Sequence, residues 1–271
     1  MPELPEVETT RRGISPHLLG QTLTEIIIRQ PRLRWPISPE LAAQTEGEVL
    51  QAIERRAKYL LLYFPKGCLL IHLGMSGSLR IITDAQESAK HDHVDMIFRP
   101  DCILRYNDPR RFGAILWLGL KPMQHPLLAN LGPEPFADAF NAAYLVQHSR
   151  QRKQVIKQWL MHQGTVTGVG NIYANEALFQ SGINPLRPIA QISLPEYERL
   201  VTAVKTILQA AITQGGTTLR NFTNSEGKPG YFKQQLFVYG RGGQPCKHCQ
   251  TLLSETRING RSSVYCSQCQ T

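Results

Sequence analysis

The sequence predicts an α+β protein in which a β-rich N-terminal domain is followed by a helical domain and a small terminal module. Three observations support this prediction. Eight short runs of β-branched and aromatic residues, separated by turn residues, occupy the region from 24 to 118. Apolar residues recur at helical spacing between 138 and 215, and four of the six cysteines lie in the last 26 residues.

The composition is that of a folded protein with excess positive charge. Of 271 residues, 42% are hydrophobic and 19% charged, which is enough apolar material for a packed core. The net charge of +9 favours a polyanionic partner such as nucleic acid over an anionic membrane surface. No apolar run approaches the ~18 residues that span a bilayer, and the N-terminus lacks the features of a secretory signal. The few, unevenly placed cysteines lead us to expect a cytoplasmic protein.

The N-terminal domain is predicted to begin with a helix over residues 4–19 that ends at Gly20. Four aliphatic side chains fall on one face of this helix, namely Leu4, Val7, Ile14 and Leu18. Short strands follow in an antiparallel sandwich or barrel, with Gly67 and the pair Pro100-Asp101 marking hairpin turns. The predicted strands are 24–29, 49–54, 59–64, 68–73, 78–83, 94–99, 102–106 and 114–118.

Helical patterning replaces the strands after residues 133–135. The clearest helix is predicted over 195–213, with Ser193 as a candidate N-cap and Gly215-Gly216 as its end. Residues 215–271 hold seven Lys or Arg and two Asp or Glu, so this segment carries +5 of the net charge and favours a binding surface. The predicted domains are 1–132, 133–235 and 236–271.

The strongest local motif is Cys246-x2-Cys249-x16-Cys266-x2-Cys269. Two CxxC pairs at this separation match a four-thiolate zinc site, which ranks far above two adventitious pairs or two disulfides in a protein expected to be cytoplasmic. Four protein ligands leave no open position, so the predicted ion is structural rather than catalytic. It would hold a short hairpin whose tip carries Arg261.

The N-terminus offers a candidate nucleophile. A small second residue permits removal of Met1, which would leave Pro2 with a free secondary amine that is partly neutral at pH 7. Such an amine can attack a sugar C1′ and form an iminium ion directly. Glu3 and Glu6, one helical turn apart, can move protons there, although acids in a first helical turn are also ordinary caps.

Three N-terminal motifs each have a structural and a functional interpretation. Alternation along residues 55–59 places Arg56 and Lys58 on one strand face, which is either a solvated face or part of a binding site. The glycine-flanked turns 72–77 and 108–113 each expose one large side chain. Such a side chain usually fills space in the hydrophobic core, but in a DNA-binding protein it can insert as a wedge between base steps.

Two more motifs could contact phosphate. Residues 167–173 place glycines before a helix, where backbone N–H groups can bind phosphate, although the same pattern also forms a simple helix–helix turn. His91 and His93 lie on one strand face without further metal ligands nearby in the sequence, which favours a polar or phosphate-contacting pair over a metal site.

Taken in chain order, these motifs resemble those of the formamidopyrimidine-DNA glycosylases, a bacterial family of 8-oxoguanine glycosylases with AP-lyase activity. The matching segments are 2–8, 56–60, 74–77, 108–113, 168–173 and the cysteine module. The resemblance therefore extends from residue 2 to residue 270. It implies an N-terminal β-sandwich with an N-terminal helix, a helical domain with a helix–two-turns–helix motif, and a zinc-bound β-hairpin.

The resemblance also implies catalytic roles. Pro2 matches the nucleophile that displaces the damaged base at C1′, and Glu3 matches the acid/base that protonates the sugar ring oxygen. Glu6 is similar to a second acid near the opened sugar. Lys58 matches a backbone-contacting lysine that assists β-elimination, and Arg261 matches the arginine that grips a phosphate beside the lesion and is assigned to δ-elimination.

Six further residues match DNA-contacting positions of the family: Met75, His91, Arg110, Phe112, Arg152 and Asn171. Of these, Met75, Arg110 and Phe112 resemble the trio that enters the duplex where the lesion was. Residues 218–231 resemble the loop over the everted base. His162 departs from the family, because relatives commonly have Asp at this position before the phosphate-binding turn.

We therefore expect a base-excision repair glycosylase for oxidised purines with AP-lyase activity. It would act as a monomer on damaged double-stranded DNA, with one structural zinc ion and no redox or nucleotide cofactor. One alternative is an endonuclease VIII-like glycosylase for oxidised pyrimidines, which the arrangement of the three wedge residues disfavours. The other is a zinc-finger DNA-binding protein without enzymatic activity, against which the Pro2-Glu3 start argues.

Overall fold

The computed structural model describes residues 1–82, 87–99, 102–150, 153–216 and 236–271. They divide into two compact units. The first contains the described parts of Met1–Ala129 and Gln214–Lys233, and the second contains those of Asn130–Thr213 and Gln234–Thr271. The three-domain division at 132 and 235 stays a prediction.

The described residues of the first unit form eight strands. They are β1 (Leu23–Ile28), β2 (Ala52–Arg56), β3 (Tyr59–Phe64), β4 (Gly67–His72), β5 (Ser78–Ile82), β6 (Asp92–Phe98), β7 (Cys102–Asn107) and β8 (Ala114–Gly119). All pair in antiparallel fashion, in two sheets with the spatial orders β1-β6-β7-β5 and β2-β3-β4-β8. Apolar side chains from both sheets share one buried core, as in a β-sandwich.

Helix α1 (Leu4–Leu18) packs against β2, β3, β5 and β7. The four aliphatic side chains predicted to share a face are all at most 1% exposed, which confirms the helical periodicity. The helix continues past Pro16 and ends one residue before the predicted end. Two short helices complete the unit, α2 (Leu41–Thr45) and α3 (Pro126–Ala129).

The turn between β2 and β3 corrects two sequence predictions. Strand β2 was predicted at 49–54, but Val49 makes only an isolated bridge with Thr22, and Arg56 is the last residue of the strand. Arg56 pairs with Tyr59, so Ala57-Lys58 form a two-residue hairpin turn. Lys58 therefore does not share a strand face with Arg56. The predicted turn at Pro100-Asp101 and the predicted strand end at Thr83 lie outside the described residues.

The second unit combines helices with a terminal hairpin. Its elements are α4 (Ala142–Ser149), α5 (Ile156–Leu160), α6 (Asn171–Gln180), α7 (Leu194–Thr213), β9 (Ser254–Ile258) and β10 (Arg261–Tyr265). Helix α6 packs against α5, α7 and β10, around the buried aromatic rings of Trp159, Tyr173 and Tyr197. Within the described ranges, no helix has both the length and the apolar character needed to cross a membrane.

Candidate active site and nucleic-acid interface

The first turn of α1 fixes the two predicted acids beside the start of the chain. Glu3 and Glu6 are each 2% exposed. They form a capping box, in which the Glu3 backbone N–H donates to Oε2 of Glu6 at 2.8 Å and the Glu3 carboxylate accepts from the Glu6 backbone N–H. Each carboxylate is thereby held by the backbone of the other residue.

The chain start lies in a desolvated, charged environment. Burial lowers the pKa of the Met1 α-amino group, Glu3 and Glu6 oppose this effect, and the charges of Lys58 and Arg110 reinforce it. All four side chains are thus near enough to act on an amine at this position. Desolvation favours the neutral form, which has the lone pair that nucleophilic attack requires.

Lys58 reaches this environment from the turn between β2 and β3. Ala57 precedes it with φ of +55°, a left-handed conformation that costs a non-glycine residue roughly 1–2 kcal/mol. Arg55 holds the turn, because Nη1 donates to the Ala57 carbonyl oxygen at 3.0 Å and Nε donates to the Glu8 carboxylate at 3.3 Å. Since Glu8 belongs to α1, this bridge sets Lys58 relative to the helix that carries the acids.

Two adjoining turns present the predicted wedge residues. Met75 and Phe112 are 44% and 45% exposed, and Cζ of Arg110 lies 4.7 Å from the centroid of the Phe112 ring. A Cβ atom on Gly74 would lie 2.4 Å from the carbonyl carbon of Phe112, so this close approach requires glycine. The two turns thus expose two apolar side chains and one cation as a group.

Asp108 joins these turns, a role that the sequence interpretation missed. Its fully buried carboxylate accepts hydrogen bonds from Oγ of Ser76 at 3.0 Å and from the Gly113 backbone N–H at 2.8 Å. An aspartate at the start of a turn is a known signal for bonds to nearby backbone N–H groups. The bond to Ser76, 32 residues away, has no such signal.

His72 is a second positioning residue that the sequence interpretation missed. Burial, together with the charges of Lys58 and Arg34, lowers the pKa of His72 to about 4. The ring is therefore neutral at pH 7, and its Nδ1 accepts the Gly74 backbone N–H at 3.2 Å. This bond fixes the first residue of the turn that carries Met75.

The other predicted DNA-contacting residues are distributed between the units. The His91 ring lies 6.2 Å from that of His93, at the start of β6 in the first unit. Asn171 is the first residue of α6 in the second unit. Arg152 and residues 218–231 lie outside the described residues.

Gln163 shapes the glycine-rich turn before α6. Its Oε1 accepts the Gly168 backbone N–H at 3.0 Å, and its Nε2 donates to the Val169 carbonyl oxygen at 3.3 Å. Gly168 has φ of +79°, which glycine adopts without strain. The turn that leads to Asn171 is therefore fixed by a side chain from the preceding segment.

The four predicted cysteine ligands converge at one point. Their Sγ atoms all lie within 4.8 Å of one another, with separations of 4.0 Å for Cys246–Cys269 and 3.4 Å for Cys249–Cys266. Tetrahedral zinc with Zn–S bonds of 2.3 Å requires Sγ–Sγ separations of about 3.8 Å, whereas a disulfide requires about 2 Å. The geometry therefore fits one structural zinc ion bound by four thiolates.

The hairpin beside this zinc site carries Arg261 at its tip. Asn259 and Gly260 form the two-residue turn with φ of +48° and +73°, the backbone pattern expected of an Asn-Gly hairpin. Arg261 lines a cleft of about 190 Å³, together with Lys157 and His162. Among the described residues, no side-chain partner of the Arg261 guanidinium is present.

Lys157 fastens the hairpin to α5. Its Nζ is buried and donates to the Ser262 carbonyl oxygen and to Oγ of Ser263, both at 2.6 Å. Asn175 on α6 adds a third contact, since its Oδ1 accepts the Val264 backbone N–H at 2.9 Å. These bonds set the position of the hairpin tip relative to α5 and α6.

Comparison with models of known protein families finds three matches along the chain. Residues 1–115 match the N-terminal domain of formamidopyrimidine-DNA glycosylase, and residues 131–223 match the H2TH domain of the same family. Residues 243–271 match a zinc finger found in FPG and IleRS. These matches confirm the α+β fold with a zinc-binding hairpin that the sequence predicted.

Curated relatives are similar over the whole chain. The chain is 57% identical to the formamidopyrimidine-DNA glycosylase of Psychromonas ingrahamii and 58% identical to that of Cellvibrio japonicus. Each alignment covers 270 residues and 100% of both chains.

Solved structures share the fold. The MutM (Fpg) protein of Thermus thermophilus is 36% identical, with a TM-score of 0.89 over 99% of this chain and 98% of that one. A complex between Lactococcus lactis Fpg and DNA containing an abasic site is 33% identical, with a TM-score of 0.92 over 99% of each chain. Wild-type Lactococcus lactis Fpg with DNA containing N7-benzyl-Fapy-dG is 32% identical, with a TM-score of 0.92 over 100% of each chain.

Proposed function

This chain belongs to the formamidopyrimidine-DNA glycosylase family, and from that membership we propose a DNA repair enzyme with two activities. It is a DNA glycosylase of base-excision repair. It removes 8-oxoguanine and formamidopyrimidines from damaged duplex DNA, and it then cleaves the strand as an AP lyase by β,δ-elimination. The observation that carries this proposal is the placement of Glu3, Glu6 and Lys58 around the buried start of the chain.

Access to the damaged nucleotide requires eversion. A base inside a duplex exposes neither C1′ nor its recognition edge, and extruding it costs a few kcal/mol. Met75 and Phe112, as exposed apolar side chains, offset part of this cost by stacking in the vacated space, at about 1–3 kcal/mol per contact. Arg110 beside the Phe112 ring donates hydrogen bonds to the orphaned partner base.

The first covalent step uses the amine of Pro2 after Met1 has been removed. Attack of the amine nitrogen on C1′ breaks the glycosidic bond, and the base leaves with the bonding electron pair and takes up a proton. Glu3 protonates the sugar ring oxygen, so the ring opens and the C1′–N bond becomes an iminium ion once the amine proton is lost. Glu6 lies beside the opened sugar and keeps Glu3 in place through the capping box.

Strand cleavage follows from the iminium ion. Loss of a proton from C2′ expels the 3′ phosphate in β-elimination. Loss of a proton from C4′ then expels the 5′ phosphate in δ-elimination. Lys58 contacts the DNA backbone and assists the first elimination. Arg261 grips a phosphate beside the lesion during the second, which its exposed position at the hairpin tip permits.

Further residues position the duplex through its phosphates. His91, Arg152 and Asn171 contact the backbone without reading sequence, and the net charge of +9 supplies non-specific attraction. We propose that the enzyme acts as a monomer on DNA in the bacterial cytosol.

A lesion panel tests the proposed substrate class. Single-turnover cleavage is measured on duplexes with 8-oxoguanine opposite cytosine, with thymine glycol and with an abasic site, and the strand ends are identified. We expect 8-oxoguanine to be cleaved at least about tenfold faster, a difference of about 1.4 kcal/mol in activation free energy, with phosphate on both sides of the gap. Faster cleavage of thymine glycol would instead support an endonuclease VIII-like specificity, and absence of cleavage on abasic DNA would exclude the lyase.

A further inference from the structure

Gly216 lies directly against Glu6. It follows the end of α7 and has φ of +83°. A Cβ atom on Gly216 would lie 3.2 Å from Oε1 and 3.3 Å from Cγ of Glu6. Gly215 has a similar φ of +76°, but a Cβ atom there would meet no atom within 4 Å. Both glycines thus satisfy the same backbone requirement, and only Gly216 also has a close neighbour.

Glu6 has little room to move away from an added atom. Its side chain is 2% exposed, and its Oε2 is held by the Glu3 backbone N–H at 2.8 Å. A contact of 3.2 Å is tighter than ordinary van der Waals contact, so a Cβ atom on Gly216 would displace the Glu6 carboxylate by a few tenths of an ångström. Because the Glu3 N–H belongs to the peptide that follows Pro2, this displacement would reach the proposed nucleophile.

We propose that Gly216 is a positioning residue for the glycosylase and lyase reactions. Because Gly216 has no side chain, the Glu6 carboxylate can occupy the space beside it. In this position Glu6 forms the capping box with Glu3 next to the chain start. The inference rests on the proposed function, since it concerns the placement of the same acids and the same amine. Gly216 itself touches no reacting atom.

The test compares Gly216→Ala with Gly215→Ala. Each substitution places an alanine at positive φ, with a similar strain of roughly 1–2 kcal/mol. Only the first adds an atom against Glu6. Enzyme in excess is mixed with 8-oxoguanine duplex and borohydride, and the rate constant for covalent trapping is measured between pH 5 and 9. Thermal unfolding of each variant is recorded alongside.

We expect Gly216→Ala to trap DNA at least about tenfold more slowly than Gly215→Ala, because small misplacements of catalytic groups have large effects on rate. The pH profile of trapping is expected to shift to lower pH in Gly216→Ala only. The reason is that the Glu6 charge raises the pKa of the Met1 amino group at the chain start, so a Glu6 carboxylate displaced from this position would raise the pKa of a terminal amine there less. The two variants are expected to unfold at similar temperatures.

Each outcome distinguishes this inference from the proposed function. If the wild-type enzyme forms no trapped adduct, the proposed nucleophilic mechanism itself is wrong. If the wild type is trapped but the two variants have equal rates and equal pH profiles, Gly216 has no positioning role while the mechanism stands. A slower rate in Gly216→Ala with an unshifted pH profile would also overturn the inference, because Glu6 would not have moved relative to the amine.

Discussion

Asp108 and Gly74 position the two turns that carry the exposed side chains of Met75 and Phe112. Asp108 bonds both turns from a fully buried position, and Gly74 allows the backbones of the two turns to touch. The side chains of Met75 and Phe112 are 44% and 45% exposed and take no part in these hydrogen bonds. Single substitutions of these exposed residues therefore leave the hydrogen bonds of Asp108 in place and test chiefly function.

Phe112→Ala is expected to weaken binding to 8-oxoguanine duplex more than binding to abasic duplex. In the proposed wedge role, the ring fills the stacking gap that an everted base leaves, whereas an abasic site has less stacking to replace. The expected loss of affinity for the lesion duplex is about tenfold. One stacking contact contributes about 1–3 kcal/mol, and only part of this free energy is lost. Dissociation constants on the two duplexes provide the measurement.

Phe136→Ala serves as the matched control, since Phe136 is also an exposed ring, at 39%, but lies in the second unit. It should leave both dissociation constants unchanged. Equal losses on the two duplexes in Phe112→Ala would contradict the wedge role.

Lys58 illustrates which residue-level features a sequence reveals. The resemblance of residues 56–60 to the family singled out Lys58, and alternation placed it in a strand, whereas the structure places it in a turn. The turn depends on a positive φ at Ala57 and on a bridge from Arg55 to Glu8, 47 residues earlier in the chain. Local periodicity carries no information about such a distant partner.

The terminal hairpin needs its metal because two strands alone bury too little apolar surface to be stable. Among the described residues, a small apolar cluster packs with the four cysteines and includes Phe179, Val238, Leu253 and Val264. The zinc ion thus fixes the element that presents Arg261. Spacing of the cysteines sufficed to predict this site, since both ligand pairs are local in sequence.

Cys249→Ser is expected to lose the zinc ion and most DNA binding. One missing thiolate opens the tetrahedral site, and the hairpin tip is then no longer held. Metal content per chain and affinity for lesion duplex are the measurements. Cys102→Ser is the matched control, because Cys102 lies in β7 outside the cluster, and it should retain one zinc ion per chain. Stoichiometric zinc in Cys249→Ser would contradict the four-ligand assignment.

Arg187 and Glu196 form an ion pair at the start of helix α7. The hydrogen bond from Arg187 lowers the pKa of Glu196 from 4.5 to about 2. Because the folded-state pKa is depressed, the stabilisation is complete above pH 4.5 and is lost as the pH falls towards 2.

Because the pair is partly exposed and solvent screens it, Glu196→Gln should lower the free energy of unfolding by about 1 kcal/mol at pH 7, and by progressively less below pH 4.5. Urea unfolding at pH 7 and at pH 3 measures the difference. Glu198→Gln, on the same helix but without a side-chain ion pair among the described residues, should have little effect at either pH. A loss in Glu196→Gln that is the same at both pH values would show that the ion pair is not its cause.

Element boundaries follow from pairing as much as from composition. The hydrophobic run at 59–64 predicted β3 with both ends correct, but the predicted β2 begins three residues and ends two residues too early. Its register is set by the hairpin, in which Arg56 pairs with Tyr59. The sheet order β1-β6-β7-β5 pairs β1 with β6 and β5 with β7, which are not consecutive in the chain, and short-range patterns do not specify such pairs.

At the scale of the whole molecule, excess positive charge predicted the class of partner, and the order of the motifs predicted the family. Net charge is a property of composition, and each motif is local in sequence. Both can therefore be recognised without knowledge of the fold. The proposed chemistry, by contrast, depends on charged residues from α1, from the hairpin turn at Lys58 and from the turn at Arg110, all of which affect the amino group at the chain start. Only the folded chain brings these together.

The central claim is that the amine of Pro2 is the nucleophile, and covalent trapping tests it most directly. Borohydride added during turnover on 8-oxoguanine duplex should reduce the iminium ion to a stable adduct, and peptide mapping should locate it at Pro2 in protein that lacks Met1. A variant with an uncleavable N-terminal extension has an acylated nitrogen, so it should bind the duplex yet form no adduct. Normal cleavage by that variant, or an adduct that maps to Lys58 in the unextended protein, would contradict the account.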